Sequence, residues 1–294
     1  MRKYVLTIVI LISAAAGVFF AVYLKNREAG QRPLGPAVSV TFLDAEHGAA
    51  IIIKTPEGRF VVMDPGPANR AEQLVDYLRG MGARTIDVII TNPTKSHVGA
   101  LAGLLDSFSV RRLIHGPHMP DNRTWLDAIR DVESRDVRDQ TVTEGDTITL
   151  SPTTALAVLS PPAELLPGAG RSDDDNSLVV QVRFGDIRFL LPSDIRARAE
   201  AYLIAQNSSI ESDIMLLAGS GHFGSNSLEF LSRVRPAYCI VSCGGYLGPP
   251  SPTVLHRVDE KNSGAYLYRT DKDGTIQVVS DGRRVSVDIH AGSR

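Results

Sequence analysis

The sequence predicts an α/β protein, an αββα sandwich of two packed sheets with helices outside, preceded by one N-terminal transmembrane helix. Three observations support this prediction. A chain of 294 residues, 43% of them hydrophobic, can bury a full-sized core. Strand and helix patterns alternate in two halves without a short sequence repeat, which favours one domain with two sheets over two domains. A long uncharged run, Tyr4 to Leu24, precedes these elements.

The run from Tyr4 to Leu24 has the length of a membrane-spanning helix. It is flanked by basic residues and at helical rise spans about 30 Å, the thickness of a bilayer's hydrocarbon core. We therefore expect residues 1–27 to be an uncleaved anchor in the lipid bilayer. The alternative is a signal peptide cleaved near Ala14-Ala15-Ala16, which would leave a hydrophobic region of only about nine residues. A buried soluble helix is disfavoured because the run has no polar face.

Orientation is predicted from the short N-terminal tail, because the basic residues on the two sides of the run nearly cancel. A short tail before one span usually leaves the large domain outside the cytoplasm. We expect a single-pass protein of a bacterial-type inner membrane with its main domain on the periplasmic, extracytoplasmic side. Residues 28–37, rich in Gly and Pro, are predicted to form a linker, and residues 38–290 the domain.

Elements of the first half are predicted from hydrophobic periodicity and turn residues. In order, they are strands at Val38–Leu43, Ala50–Lys54 and Arg59–Asp64, a helix at Ala71–Met81, a strand at Val88–Thr91, a helix at Gly99–Phe108, a strand at Arg112–His115 and a helix through Trp125, Ile129 and Val132. Pro56-Glu57-Gly58 is predicted to turn between the second and third strands. Gly82 is placed at the end of the first helix, and Asp121 as the N-cap of the last.

The second half also alternates between predicted strands and predicted helices. Its predicted elements are a hairpin of Ser177–Phe184 and Ile187–Leu191, a helix at Ala197–Gln206, a strand at Ile214–Leu217, a helix at Ser227–Arg233, a strand at Ala237–Ser242, a helix at Pro252–Glu260 and strands at Tyr266–Tyr268, Thr275–Val279 and Val285–Ile289. Cys239 and Cys243 lie about 13 Å apart at strand rise, too far for a disulfide. We expect them to be buried, small apolar residues.

Composition excludes several classes of protein. The 25 Gly and 17 Pro residues are too many for a coiled coil, and two Cys are too few for a disulfide scaffold. Residues 1–32 hold five Lys and Arg residues and one Glu, which leaves 26 basic and 32 acidic residues in the rest. Because phosphate backbones are bound by basic surfaces, nucleic acid is not expected as a partner.

Several segments carry a family resemblance through their order and spacing. They are Phe42-Leu43-Asp44 with Gly48, Met63-Asp64-Pro65-Gly66, Ile86-Asp87-Val88-Ile89-Ile90-Thr91, Asp175-Asn176-Ser177-Leu178-Val179, Phe189-Leu190-Leu191 before Ser193-Asp194, Glu229-Phe230-Leu231, and Arg269-Thr270-Asp271 with Gly274. Together they resemble the metallo-β-lactamase fold, specifically the hydrolase domain of ComEC-type DNA-uptake proteins and their stand-alone relatives. The resemblance covers about Val38 to Gly282 and implies a metallo-β-lactamase-like αββα sandwich.

The resemblance also implies where a metal site would lie. In active relatives a His-x-His-x-Asp-His loop holds one or two divalent metals, which make hydroxide from water at neutral pH. Here the first His of that loop is replaced by Asn92, the second by Thr94 and the Asp by Ser96. His97 is the only metal position of the loop that remains.

The other metal positions implied by the resemblance are largely replaced too. Asp194 keeps the bridging carboxylate, whereas Gly219 and Ser220 replace a His-His pair, Pro249 and Ser251 replace two later histidines, and Glu46-His47-Gly48-Ala49 lacks an early Asp. A zinc ion needs three or four protein donors, and the remnant positions His97 and Asp194 supply two. We therefore expect no bound metal, no cofactor and no catalytic residue.

Four further groups of residues are candidates for a site. His222 could complete a three-ligand site with His97 and Asp194, although a satisfied loop histidine is favoured. The Gly219–Ser227 run could bind an anion through backbone N–H groups at the following helix start, or it could simply be a permissive loop. His115 and His118 are expected on a loop surface, and Asp173-Asp174-Asp175 is expected to be a solvated turn rather than a calcium site.

The favoured hypothesis is a membrane-anchored, non-catalytic pseudoenzyme of the metallo-β-lactamase fold. It would be an accessory or scaffold subunit of a membrane-associated protein complex, contacted through the N-terminal helix and the exported domain. The alternative is an exported metal-dependent hydrolase of phosphodiesters or other esters, with a rearranged Zn or Mn site that depends on His97 and Asp194. A third hypothesis is a binding module whose emptied pocket holds a small ligand or peptide.

Overall fold

The computed structural model describes residues 35–44, 50–167, 172–206, 209–245, 248–261 and 264–290. The expected anchor from Tyr4 to Leu24 and the start of the expected linker lie outside these residues, as does His47. Among the described residues, no helix is both long enough and apolar enough to cross a bilayer.

The first sheet has eight strands in the order β17-β16-β1-β2-β3-β5-β7-β8. The bounds are β1 Val38–Phe42, β2 Ile51–Lys54, β3 Phe60–Met63, β5 Val88–Thr91, β7 Arg112–His115, β8 Arg138–Thr141, β16 Thr275–Ser280 and β17 Val285–His290. Strands β17 to β3 pair antiparallel, whereas β3, β5, β7 and β8 pair parallel. The parallel strands therefore all end at one edge, where loops can carry a site.

The second sheet has seven strands in the order β15-β14-β13-β12-β11-β10-β9. The bounds are β9 Thr147–Thr149, β10 Ala155–Ser160, β11 Val179–Phe184, β12 Ile187–Leu191, β13 Ile214–Leu216, β14 Tyr238–Val241 and β15 Tyr266–Arg269. Strands β12 to β15 are parallel. Two short strands, β4 Thr85–Ile86 and β6 Ser109–Val110, pair with each other outside both sheets.

Helices cover the outer faces of the two sheets. They are α1 Ala71–Gly80, α2 Lys95–Val98, α3 Leu101–Ser107, α4 Arg123–Ser134, α5 Ser172–Asp175, α6 Ala197–Ala205, α7 Leu228–Val234, α8 Pro252–Lys261 and α9 Thr270–Asp273, with single 3-10 turns at Ala68–Arg70 and Ala218–Gly221. Helices α1, α3 and α4 pack on the first sheet, and α6, α7 and α8 pack on the second.

The core has three layers, which follow from the alternation of side chains along each strand. Residues from the inner faces of both sheets, such as Ile53, Ile90, Val180 and Phe189, form one continuous buried cluster. The outer faces form two further clusters with the helices. The predicted mixed α/β architecture is therefore confirmed, with two sheets face to face and helices outside.

Five strands were not predicted, and neither was the short helix α2. Strand β8 lies at a sheet edge and is mostly exposed and polar, so it carries no apolar alternation; β9, β10 and the two-residue strands β4 and β6 were also missed. The helix expected at Gly99–Phe108 is α3, and the four-residue helix α2 ends just before Gly99. A Cβ at Gly99 would lie 2.6 Å from Ala68 N, so the close approach of this backbone requires glycine at the break.

The N-cap of α4 is Asn122 and not Asp121 as predicted. Asn122 Oδ1 accepts the Trp125 N–H at 2.9 Å, and its Nδ2 donates to Pro93 O at 3.0 Å. We expect Asn122→Ala to lower the free energy of unfolding by about 1–2 kcal/mol, because it frees an N–H of the first turn. Asp121→Ala is the matched control and should change it by less than about 0.5 kcal/mol. Urea unfolding followed by circular dichroism measures both, and equal effects would contradict the assignment.

Both cysteines are buried free thiols, as expected. Burial raises the pKa of Cys239 to about 12, and burial with the neighbouring Asp271 carboxylate raises the pKa of Cys243 to about 12. Because the thiolate is the reactive form, we expect neither thiol of the native protein to react with a chromogenic disulfide reagent at pH 8. Two thiols should react once guanidinium unfolds the chain. Rapid reaction of the native protein would show that this part of the fold opens easily.

Candidate functional site

The candidate site lies where strands of both sheets end. Asp64 follows β3, Asn92 follows β5, Ser193 follows β12 and Gly219 follows β13 by a few residues at most. Ligand sites of open α/β sheets lie outside the carboxyl ends of parallel strands, and this site has that position. Asn92 Nδ2 donates to Ser193 Oγ at 2.8 Å across 101 residues of sequence, which joins the loops of the two sheets directly.

Asn92 is the centre of a buried polar network. Its Nδ2 also donates to Asp64 Oδ1 at 3.3 Å, and its backbone N–H donates to the same oxygen at 3.1 Å. Its Oδ1 accepts the Leu178 N–H at 2.7 Å, which fixes the orientation of the amide. Ser193 Oγ donates to Asp64 Oδ2 at 2.9 Å. Since these side chains are all buried, the bonds stabilise the Asp64 carboxylate with neutral groups.

His97 is held by a second set of contacts beside this network. Its Nδ1 lies 2.7 Å from Thr94 Oγ1, which is itself 3.1 Å from Ser96 Oγ. Its Nε2 lies 3.5 Å from Asp194 Oδ2. The His97 side chain is 3% exposed and that of Asp194 is 29% exposed. The carboxylate therefore faces the open side of the site, and the imidazole is packed behind it.

Burial and neighbouring charges shift the pKa values of this pair. Burial lowers the pKa of His97, but the carboxylates of Asp64, Asp194 and Asp174 together outweigh it and raise the pKa above the usual value. Burial raises the pKa of Asp194; Asp64 and Asp174 add to that rise, and His97 opposes it. His97 and Asp194 therefore form one desolvated acid–base pair in which both pKa values are raised.

Arg196 organises the opposite wall of the site. Its Nε donates to Asp174 Oδ2 at 2.6 Å, and its Nη1 lies 2.7 Å from His222 Nδ1. Burial and the Arg196 charge lower the pKa of His222, so this imidazole is neutral. Because the Gly224 N–H also donates to Nδ1, at 3.0 Å, the ring proton lies on Nε2. His222 thus has no free nitrogen lone pair to offer a metal.

The acidic run before Asn176 differs from the expected solvated turn. Asp174 is paired with Arg196, and Asp175 Oδ1 accepts the Ala199 N–H at 3.2 Å in the first turn of α6. The side chains of Asp174 and Asp175 are 18% and 17% exposed. These carboxylates therefore fix α6 and Arg196 rather than face solvent.

The loop after β13 carries the predicted positions Gly219 and Ser220. Both have left-handed backbone, with φ of 57° and 54°. Glycine adopts this conformation freely, whereas Ser220 is strained in it. A Cβ at Gly221 would lie 2.6 Å from Pro250 Cβ, and the Ser251 N–H donates to Gly221 O at 2.9 Å. The loop is thus packed closely against the segment that carries the last predicted positions.

An open pocket of about 310 Å³ lies between these walls. Its lining includes the predicted positions Ser96, His97, Asp194, Gly219, Ser220, Pro249 and Ser251. Asn92 and Thr94 lie outside this lining: Asn92 is buried in the network with Asp64, and Thr94 binds His97. Residues spread over about half of the sequence are thus gathered around one pocket.

The side chains at this pocket do not fit a Zn or Mn ion. Such sites use at least three protein donors, and His97 and Asp194 are two. The carboxamide oxygen of Asn92 is already bound by the Leu178 N–H. Among the described residues, no group of three or more His, Cys, Asp and Glu side chains is placed to hold a metal ion. We therefore derive no metal-dependent step.

Three residues of the site were missed as site residues in the sequence. Asp64 and Ser193 stand one and two residues after a buried strand and have left-handed φ of 48° and 51°. A polar residue in that position is a signal that could have identified them. No local signal marks Arg196, whose partner Asp174 is 22 residues away.

The Gly219–Ser227 run does not offer an anion site at the start of α7. The Glu200 carboxylate already accepts the N–H groups of Asn226 and Ser227, the latter at 2.9 Å. Glu200 is 1% exposed, so an internal carboxylate satisfies this helix start.

His115 is buried, and its expected place on a loop surface is therefore wrong. Its Nδ1 lies 2.6 Å from Gly116 O, its Nε2 lies 3.1 Å from Asp139 Oδ1, and its ring packs edge-on against Trp125 at 5.1 Å. Asp139 comes from the unpredicted strand β8, which is why the sequence gave no sign of this contact.

No protein-family model matches the chain. ComE operon protein 3 of Bacillus subtilis (strain 168) is 27% identical over 210 residues, which are 69% of this chain and 26% of that protein. Competence protein ComA of Neisseria gonorrhoeae is 24% identical over 248 residues, which are 81% of this chain and 32% of that protein. The chain thus spans about a quarter to a third of these relatives.

A solved structure with a similar fold is Igni18, described as a novel metallo hydrolase from the hyperthermophilic archaeon Ignicoccus hospitalis KIN4/I. Its structure superposes on this chain with a TM-score of 0.54 at 15% identity. The alignment covers 82% of this chain and 98% of the Igni18 chain. At this identity the similarity concerns the fold alone.

Proposed function

From the premise that this chain is a relative of ComEC-type proteins with the metallo-β-lactamase fold, we propose that it is a membrane-anchored, non-catalytic subunit. It would serve as an accessory or scaffold protein of a membrane-associated complex. Residues 1–27 would hold it in a bacterial inner membrane by a single span, with residues 38–290 on the periplasmic side. One of the relatives is named a competence protein, and the proposal extends that association to this chain.

The observation that carries the non-catalytic role is the network around Asn92. Where the resemblance implies a metal-binding histidine, this carboxamide bonds Asp64, Ser193 and the Leu178 N–H. A vacated metal site would leave buried carboxylates and imidazoles uncompensated, at a cost of several kcal/mol. Here each of them has a partner. The site is therefore refitted as a stable polar core beneath a pocket.

Confinement to a membrane would make such a subunit effective. A tethered domain meets membrane partners at an effective concentration set by the tether rather than by the bulk solution. Weak contacts of residues 38–290 with the complex then suffice for occupancy. The acidic balance of this domain supports a protein partner over a nucleic acid.

The alternative is an exported hydrolase of phosphodiesters or other esters with a rearranged Zn or Mn site. One observation favours it: His97 and Asp194 stay within 3.5 Å of each other at an open pocket. It would need a rearrangement that brings at least one further protein donor to the pocket.

Metal content decides between the two functions. We expect the full-length protein, purified in detergent and supplied with Zn and Mn before desalting, to retain less than about 0.1 metal ion per chain by elemental analysis. Its melting temperature should shift by less than about 1 °C when a chelator is added, because no folding energy comes from metal.

The matched variants are His97→Ala, Asp194→Ala and His256→Ala. The His256 side chain is 79% exposed on α8, so its loss controls for nonspecific binding by imidazole. Near-stoichiometric metal that is lost in the first two variants and kept in the third would overturn the non-catalytic proposal and establish a rearranged metal site.

A further inference from the structure

The mouth of the pocket carries an exposed aromatic ring. Phe223 lines the pocket and is 67% exposed, the highest value among the described large hydrophobic side chains that are exposed. Its ring contacts the His222 imidazole, with ring centroids 4.4 Å apart and the planes tilted by 35°. Two adjoining aromatic rings thus form one wall of the pocket mouth. An exposed Phe costs hydration free energy unless a ligand covers it.

The loop that carries Phe223 is held in place from several sides. Arg257 Nη1 on α8 donates to the carbonyls of Phe223, Ser225 and Asn226 at 3.2, 3.1 and 3.4 Å. Ser225 Oγ donates to Ile195 O at 2.7 Å, and the Asn226 side chain bonds both the N–H and the carbonyl of Ala218 at 2.9 Å. The backbone is therefore fixed, so the ordering cost on binding is limited to the Phe223 side chain itself.

Apart from Pro249 and the glycines, the other side chains of the lining are polar, and its charges are paired. His97 faces Asp194, and Arg196 is bound to Asp174. The lining also includes Ser96, Ser220 and Ser251, whose hydroxyl groups can donate and accept hydrogen bonds. Such a lining offers both donors and acceptors but no excess of either charge.

An exposed aromatic wall beside polar groups with paired charges favours some classes of ligand over others. A phosphate or carboxylate would face Asp194 and would compete with Asp174 for Arg196. An apolar ligand would strip water from Asp194 and Arg196 without replacing their hydrogen bonds. A neutral ring with hydroxyl groups on its edge and C–H groups on its face matches both the aromatic wall and the polar lining. Its face packs on an aromatic ring, and its hydroxyl groups form hydrogen bonds with charged side chains.

We propose that the pocket binds one hexopyranose ring of a neutral saccharide, packed on Phe223 and hydrogen-bonded to Asp194, Arg196 and the serine hydroxyls. A pocket of about 310 Å³ has room for a single such ring with a few waters. This inference does not depend on the accessory role proposed above, since a binding pocket serves a scaffold and a free-standing module equally.

Saturation-transfer NMR and calorimetry on the full-length protein test the proposal. The detergent must lack a sugar head group. The probes are glucose, galactose, mannose, N-acetylglucosamine and the trimer of N-acetylglucosamine, with glucose 6-phosphate and inorganic phosphate as anions. We expect saturable binding of at least one neutral probe with a dissociation constant of roughly 0.1–10 mM, the range of small ligands with few contacts.

The variants are Phe223→Ala and Met119→Ala. Met119 is 56% exposed and does not line the pocket, so its loss controls for an exposed apolar side chain elsewhere. Phe223→Ala should weaken binding at least tenfold, and Met119→Ala should leave it unchanged. No saturable binding of any neutral probe, equal binding by Phe223→Ala, or tighter binding of the two anions would each overturn the proposal.

Discussion

Replacing Asn92 with Ala is expected to lower the free energy of unfolding by about 3–5 kcal/mol. The change leaves the buried Leu178 N–H without its acceptor and removes the Nδ2 donor from the Asp64 carboxylate and from Ser193 Oγ. An unsatisfied buried amide costs roughly 1–3 kcal/mol, and a lost hydrogen bond to a charged group roughly 1.5–3 kcal/mol. Urea unfolding followed by tryptophan fluorescence measures the loss, since Trp125 is buried in the same fold.

A double-mutant cycle with Asp64→Asn isolates the charged contact. With a neutral amide at position 64, Asn92→Ala should cost at least 1 kcal/mol less than it does beside the native carboxylate, because no buried charge remains to be compensated; a coupling of roughly 1–3 kcal/mol is typical of such pairs. Additive effects of the two changes would contradict a network in which Asn92 compensates Asp64.

Restoring the residue that the family resemblance implies should not repair the site. Asn92 uses two N–H donors and one acceptor at once. A neutral imidazole offers one donor and one acceptor, and an imidazolium offers two donors and no acceptor. We therefore expect Asn92→His to be destabilised as well. Because several hydrogen-bonding partners around position 92 match an amide, a single substitution does not restore a histidine at this site.

The sequence was sufficient for most elements because apolar periodicity is a local signal. Val88–Thr91 and Arg112–His115 lie where their patterns predicted them. Strand β8 was missed because an exposed polar edge strand has no such signal, and with it the contact of Asp139 with His115 was missed. The N-cap of α4 was predicted one residue early because Asp121 and Asn122 both have capping side chains.

The site could be predicted in its positions but not in its bonds. The resemblance placed His97, Asp194 and the replaced positions, and the structure gathers most of them around one pocket. The bonds that stabilise them span 129 residues from Asp64 to Ser193 and 101 from Asn92 to Ser193. Which neutral group meets which carboxylate depends on how the two sheets pack. Local patterns contain no information on that.

Replacing Glu200 with Ala is expected to lower the free energy of unfolding by about 3 kcal/mol, since two N–H groups at the start of α7 lose their acceptor at a cost of roughly 1–3 kcal/mol each. The carboxylate binds Asn226 N and Ser227 N. Burial raises the pKa of Glu200, and these amide donors oppose that shift. In the native state the buried Glu200 carboxylate is therefore stabilised by the N–H groups at the start of α7.

The comparison with Glu229 separates this role from a general charge effect. Glu229 lies exposed in the first turn of α7, where a carboxylate also interacts favourably with the helix dipole. Glu229→Gln should cost less than about 0.5 kcal/mol. Glu200→Gln keeps the shape but turns an amide N–H toward a backbone N–H, and we expect a loss of about 2 kcal/mol. Equal losses at the two positions would show that Glu200 acts only as a charge.

Glu200 also connects the fold to the pocket. Its carboxylate and Arg257 both bind the loop that carries Phe223 to the pocket mouth. Loosening the loop without touching the pocket lining should therefore weaken any ligand that packs on the ring, while Asp194 and Arg196 stay in place. Glu200→Gln, if folded at 25 °C, should show faster amide hydrogen exchange in residues 218–227 and unchanged exchange in β5. Protection that is unchanged in residues 218–227 would mean that Arg257 and Asn226 hold the loop alone.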